Sequence, residues 1–377
     1  MEKPKGSLIS YFSNLVKKHG GINLAQGRPG FCPPPELLRI LQEAVDNRDL
    51  HQYAPGNGDF DLLELLAERY GRFAPITSDH LLVVNGATEG LSLTFHYLNT
   101  ILPRPCSVLS FDPVYESYPM LARIFGLPFA YFDMDPTTMQ VDFDALERTI
   151  QREKVGVVFL SSPGNPLGKV WSEREIANLV DLSRTYRFYI VFDAVYEHIY
   201  LESPPCNPLP LQCDRLFFVS SFSKMLSITG WRIGYVIASE EHMERIRAIH
   251  DYTGLSAPFL LQKAIFRYLS ASHAVDGYLQ ELRNRWRDNY ELLRETLVRL
   301  DFFVPAIQGG YFLWAGLPKR YPDAWQFAVD LYRNARVGVV PGENFSERHV
   351  DFIRLNMTLE APVIRNALDR IEKFMTD

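Results

Sequence analysis

Short apolar runs recur through the middle of the chain, each bounded by turn residues and separated from the next by a longer stretch with helical spacing. Seven of them, Leu81–Asn85, Ser107–Ser110, Phe129–Phe132, Gly156–Leu160, Tyr189–Asp193, Leu216–Val219 and Gly234–Ala238, have the length and residue types of buried parallel strands. Strands alternating with helices predict an α/β fold with a mainly parallel seven-stranded sheet flanked by helices. In such sheets active-site residues gather at the carboxyl ends of strands, and Gly86, Asn165, Asp193 and Lys224 all fall there. Leu8, Phe12, Leu15 and Val16 behind Ser7 predict a capped first helix. Residues 278–300, rich in Arg, Glu and Leu, predict a long amphipathic helix leading out of the sheet. Beyond it a smaller α+β unit is expected, with strands at Gly309–Trp314 and Phe352–Leu355.

At 377 residues the chain exceeds the size at which one core keeps growing, which favours two domains. Hydrophobic and charged fractions of 47% and 22% are those of an ordinary globular enzyme. A net charge of −6 supplies no electrostatic footprint for nucleic acid or an anionic membrane. Cys32, Cys106, Cys206 and Cys213 are too scattered for a disulfide framework or a zinc site, so no metal and a cytoplasmic location are expected. The basic start Met1–Lys5 is followed by Ser10, Asn14, Lys17 and Lys18, which break any signal-peptide core. Asp112, Glu116 and Arg123 interrupt the apolar stretch from Val108 to Phe132, so no membrane span is expected.

The most informative chemistry lies in Ser221-Phe222-Ser223-Lys224, followed by Thr229-Gly230-Trp231-Arg232-Ile233-Gly234-Tyr235. A partly desolvated lysine can lose its proton and condense with an aldehyde, while an arginine keeps its charge and its planar fork fits phosphate oxygens. Asn85-Gly86-Ala87-Thr88-Glu89-Gly90 joins a strand to a helix, so backbone N–H groups can converge on an anion. Asp193 ends an otherwise apolar strand and needs a partner there.

These stretches together resemble the class I/II aminotransferases of fold type I, which depend on pyridoxal 5'-phosphate. The order of the motifs agrees with that family from Asn23 to Arg354. The resemblance implies that Lys224 carries the cofactor and acts as general base. It makes Gly86, Ala87, Thr88, Ser221, Ser223 and Arg232 a phosphate cup. Asp193 then pairs with the ring nitrogen, Tyr196 and Asn165 with the ring hydroxyl, and Tyr115 stacks on the ring. Arg354 in Phe352-Ile353-Arg354-Leu355 resembles the arginine that binds the substrate α-carboxylate, and Gly27 in Gln26-Gly27-Arg28-Pro29 lies in a loop that approaches substrate. Arg28 is expected to be exposed. Tyr53 in Gln52-Tyr53-Ala54-Pro55 resembles the residue that reaches the phosphate of a neighbouring subunit, which implies a homodimer. The resemblance also implies that residues 1–46 pack with a small domain at 276–377, around a large domain at 47–275.

The expected reaction moves an amino group from an L-amino acid to a 2-oxo acid by a ping-pong mechanism, nearest to the methionine, glutamine and kynurenine transaminase branch. Ser162 and Leu167 stand where the family's Asn-Pro-x-Asn-Pro-Thr-Gly has asparagine and threonine. That departure keeps β-elimination or C–S lysis, cyclisation and decarboxylation open as alternatives, since one cofactor supports them all. A ligand-sensing regulator on the same fold would need a basic DNA-binding module before the active-site loop, and none is present.

Overall fold

The computed structural model describes residues 3–135 and 137–376; Met1 and Glu2 of the basic start lie outside them. The seven expected strands form one sheet, in the spatial order Leu81–Val84, Gly234–Ile237, Leu216–Ser221, Tyr189–Asp193, Val155–Ser161, Ser107–Asp112, Phe129–Asp133. Gly234–Ile237 runs antiparallel to both its neighbours, and the other pairings from Leu216–Ser221 outward are parallel. Alternation along each strand feeds two cores. Leu81 and Val83 enter one, while Leu82 and Val84 enter the other. The helix Ala87–Ile101 covers one face of the sheet, burying Leu91, Phe95 and Leu98.

Ser7 caps the first helix, Leu8–His19, by accepting from Ser10 N–H at 3.2 Å. The long helix spans Ser272–Arg299, and its buried Leu293 and Leu297 share the larger core with the second unit. That unit contains a three-stranded antiparallel sheet in the order Val340–Pro341, Phe352–Asn356, Phe312–Gly316. The expected strand at Gly309–Trp314 therefore begins later. Gly310 has φ 87°, which bends the chain ahead of Phe312. Ile22–Asn23 pairs in parallel with Val337–Gly338, while the helix Pro35–Val45 packs on Phe259–Ser270. Among the described residues no helix is long and apolar enough to cross a membrane.

One close approach fixes the site's geometry. Gly234 pairs with Val84 on one side and Ser221 on the other, the last residues of two strands. A Cβ there would lie 2.7 Å from Ala87 N and 2.8 Å from Ser220 O. Both are backbone atoms with no freedom to retreat. Gly234→Ala is expected to lower the unfolding free energy by about 1–3 kcal/mol in urea denaturation, as other overpacking changes do. Gly230→Ala, which meets nothing within 4 Å, should stay within about 0.5 kcal/mol of the native chain.

Candidate active site

Gly86 precedes the helix Ala87–Ile101 with φ 80°, a conformation natural only to glycine. A Cβ on it would meet Arg232 Nη2 at 2.4 Å, so the missing side chain is what lets the guanidinium cross the helix start. Arg232, itself at φ 58°, donates from Nη1 to Thr229 O at 3.1 Å and from Nη2 to Asn85 O at 3.3 Å. Ser221 Oγ accepts from Ser223 N–H at 3.1 Å and lies 2.9 Å from Ser223 Oγ. Ala87, Thr88, Ser221, Ser223 and Arg232 line one cavity of about 310 Å³. A helix N-terminus, three hydroxyls and a guanidinium make a cradle for a phosphate-like anion.

Lys224 lines the same cavity, on the four-residue helix Phe222–Met225. Its Nζ donates to Gly27 O, and its own carbonyl accepts from Tyr311 O–H at 2.6 Å. Burial, reinforced by the charges of Arg354 and Arg232, pulls the amine down to about 8. Asp193 is buried and accepts from Tyr118 O–H at 2.8 Å and Val195 N–H at 3.2 Å. Burial pushes its carboxyl up to about 6, against the lowering effect of the Tyr118 bond. Among the described residues no cationic side chain forms an ion pair with Asp193. A buried carboxylate with two neutral donors suits a ligand that brings an N–H and a positive charge. Burial holds the Tyr196 and Tyr115 phenols above their usual range, so both are neutral donors at the cavity wall.

Arg354 sits on the middle strand of the small sheet rather than on an exposed edge, and is only 1% exposed. Its Nη1 donates to Asn165 Oδ1 at 2.9 Å and its Nη2 to Ala25 O at 2.7 Å. Cζ lies 3.8 Å from the Phe312 ring centroid and 4.7 Å from that of Phe345. Burial lowers its pKa to about 10, so it remains a cation near neutral pH. Nε has no hydrogen-bond partner.

Ser162 and Leu167 now have a physical account. Ser162 Oγ accepts from Trp171 N–H at 3.2 Å, and Leu167 is buried in the larger core. The loop between them is closed by Gly164 N–H to Lys169 O at 2.8 Å and Gly168 N–H to Gly164 O at 2.9 Å. Apolar anchoring and backbone bonds thus hold Asn165 in the cavity. Arg28 is exposed, as expected. Tyr53 is 82% exposed and does not line the cavity. Tyr118, Glu116, Ile9, Ser10 and Phe312 also line the cavity, and no motif in the sequence marks them for a role there. Tyr118 had one available signal, its position one helical turn beyond Tyr115.

The family model for aminotransferases of class I and II matches residues 19–371. The chain belongs to that family. The aspartate aminotransferase of Thermotoga maritima is 30% identical to it over 372 residues, covering 96% of this chain and 93% of the relative. A crystallised methionine aminotransferase of Escherichia coli superimposes with a TM-score of 0.86 at 26% identity, covering 99% of each chain. The aspartate aminotransferase of Thermus thermophilus, solved with maleate, reaches a TM-score of 0.90 at 24% identity, covering 99% and 97%. The fold is therefore that of a fold-type-I transferase. This aminotransferase is an enzyme that depends on pyridoxal 5'-phosphate and transfers amino groups. The elimination, cyclisation and decarboxylation alternatives gain nothing from its relatives, which carry aminotransferase names. The donor set also fits the cofactor, with an anion cradle, an amine and an unpaired buried carboxylate along one cavity.

Lys224 provides a stability test on the cofactor-free aminotransferase. A lysine lowered from 10.5 to about 8 on folding destabilises the chain at pH values below 8, and the cost fades as pH rises from 8 towards 10.5. Lys224→Met should therefore raise the unfolding free energy at pH 7 by up to about 3 kcal/mol. Denaturant titrations between pH 7 and 10 should find the gain shrinking with pH. A gain independent of pH would leave the desolvated amine without a role in it.

Proposed function

We propose that the enzyme takes the amino group of an L-amino acid and passes it to a 2-oxo acid by a ping-pong mechanism at the cavity around Lys224. The observation that carries this reading is the juxtaposition of a desolvated amine, a buried carboxylate without a cationic partner, and a buried guanidinium in one cavity. The cofactor supplies an aldehyde that takes up the amino group and a ring that spreads the negative charge left on the substrate α-carbon. Lys224 would hold the cofactor covalently through Nζ until the substrate amine displaces it, and the freed Nζ would be the base that removes the substrate α-proton and returns it. Asp193 accepts the ring N–H and stabilises its positive charge. Tyr196 and Asn165 donate to the ring hydroxyl, and Tyr115 packs on the ring face. Gly86, Ala87, Thr88, Ser221, Ser223 and Arg232 bind the phosphate. Gly27 and Asn165 line the substrate's path. Arg354 orients the α-carboxylate so that Lys224 meets the Cα–H bond.

We further infer a cytoplasmic homodimer in which Tyr53 donates to the phosphate held by the partner subunit. Tyr53, Phe60 and Tyr252 are 82%, 70% and 93% exposed, large side chains of the kind an interface would cover. The division into 1–46, 47–275 and 276–377 belongs to the same reading. Pairing of Ile22–Asn23 with Val337–Gly338 supports it, with Pro35–Val45 linking the units through Phe259–Ser270.

Mixing the holoenzyme with single amino acids should yield pyridoxamine phosphate and the matching 2-oxo acid, followed by absorbance and mass spectrometry. Borohydride reduction should leave the pyridoxyl group on Lys224. Arg354→Ala should weaken productive amino-acid binding by about 2–5 kcal/mol while cofactor affinity changes far less. Ammonia release without pyridoxamine phosphate, or an adduct on another lysine, would refute the assignment.

The dimer is tested by Tyr53→Phe, expected to cost about 1.5–3 kcal/mol in cofactor affinity, the worth of one bond to a charged group. A mixed dimer of one Lys224→Ala subunit and one Tyr53→Phe subunit should have a single lysine-containing site with normal cofactor affinity. A weakened site in that dimer would place Tyr53 in its own subunit's phosphate cradle instead.

A further inference from the structure

Five charged side chains line the cavity: Lys224, Asp193, Arg232, Arg354 and Glu116. The first four are used by the reading above, on which this inference rests. Glu116 is not. It is half-buried between Tyr115 and the start of the helix Ser117–Ile124, and Oε1 accepts from Ser7 Oγ at 2.7 Å. That bond ties it to the first helix, whose Ile9 and Ser10 line the same cavity. Ile9, Ser10 and Glu116 therefore form one wall of the cavity, joined through the Ser7 bond. Among the described residues no other hydrogen bond or ion pair engages its carboxylate, which Arg354 reaches only by longer-range attraction, so Oε2 is left for a ligand.

We infer that Glu116 sets the substrate class: the enzyme selects amino acids whose side chains end in an N–H donor and rejects those ending in a second carboxylate. Among the described lining residues no cation is left to receive a second carboxylate once Lys224 and Arg232 hold the cofactor and Arg354 the α-carboxylate. A carboxylate brought against Glu116 is a like-charge contact in a partly desolvated pocket, whereas an amide or amine is a hydrogen-bond donor to Oε2. Ser7 orients the glutamate and leaves its charge in place. Phe312 and Tyr115, which line the same cavity, supply apolar contact for the methylene part of such a side chain.

Glutamine and glutamate have the same shape and differ in this one group, so they isolate the effect. With the holoenzyme, kcat/KM for glutamine should exceed that for glutamate by at least about tenfold, since one like-charge contact costs more than the 1.4 kcal/mol that tenfold represents. Equilibrium binding of two unreactive analogues, glutaramate and glutarate, should follow the same order by calorimetry. Glu116→Gln retains an acceptor for Ser7 and removes the charge, so both preferences should shrink towards unity. A glutamate sustaining only the Ser7 bond would alter both ligands alike and leave the ratios unchanged. Unchanged ratios, or a native preference for glutamate and glutarate, would overturn the inference. Failure of every amino acid to form pyridoxamine phosphate would instead strike the transamination reading, while the calorimetric ratio would still decide the role of Glu116.

Discussion

The site depends on one place where backbone passes backbone with no side chain between. At Gly234 the single antiparallel strand of the large sheet holds the ends of Leu81–Val84 and Leu216–Ser221 on either side of itself. The first of those ends becomes the Gly86–Ala87 turn, and the second becomes the Ser221–Lys224 turn. Because no Cβ separates them, the anion cradle and the reactive amine share one cavity. Arg232, two residues before Gly234, then crosses Gly86 where a second Cβ is missing. Two glycines far apart in sequence set the distance between the anion cradle and the Lys224 amine.

Around that geometry the fold holds three ionisable groups in conditions that oppose their charges. Lys224 and Arg354 are pulled down and Asp193 is pushed up, with burial the largest cause in each case. None of the three is paired with another of opposite sign at hydrogen-bonding distance; their partners are carbonyls, an amide, a phenol and a backbone N–H. Such an arrangement costs folding free energy in the empty chain and is repaid when ligands bring a phosphate, a ring cation and a carboxylate. Tyr118 limits the cost at Asp193. Stacked at 4.8 Å on Phe159, its ring holds the hydroxyl on the carboxylate.

Strand positions were legible because period and composition are local properties, and all seven runs of the large sheet became strands. Several ends ran on where partner backbones continued to pair, while Leu81–Val84 and Gly234–Ile237 stop one residue short of the runs ending at Asn85 and Ala238. Ser107–Asp112 extends past Ser110 because Phe111 and Asp112 remain in register with Phe132 and Asp133. Motif order singled out Lys224, Asp193, Asn165, Tyr196 and Arg354, and all five line one cavity. Contacts between distant segments were not. The carbonyl that receives the lysine amine belongs to Gly27, and the wall that carries Glu116 is completed by a helix starting at Leu8. No local pattern marks Ile9 or Ser10 as lining residues, since their spacing is that of any amphipathic helix.

The first helix has a practical side. Ser7 is tied to Glu116 on the cavity wall, Leu8 N–H donates to Asn344 Oδ1 at 2.9 Å, and Lys3 pairs with Glu343, so the opening segment is anchored at three points. A fused handle that disturbs the Lys3 pair would act on the cavity through the next anchor, Ser7 on Glu116, and kinetic constants from such a fusion would describe the handle as well as the enzyme.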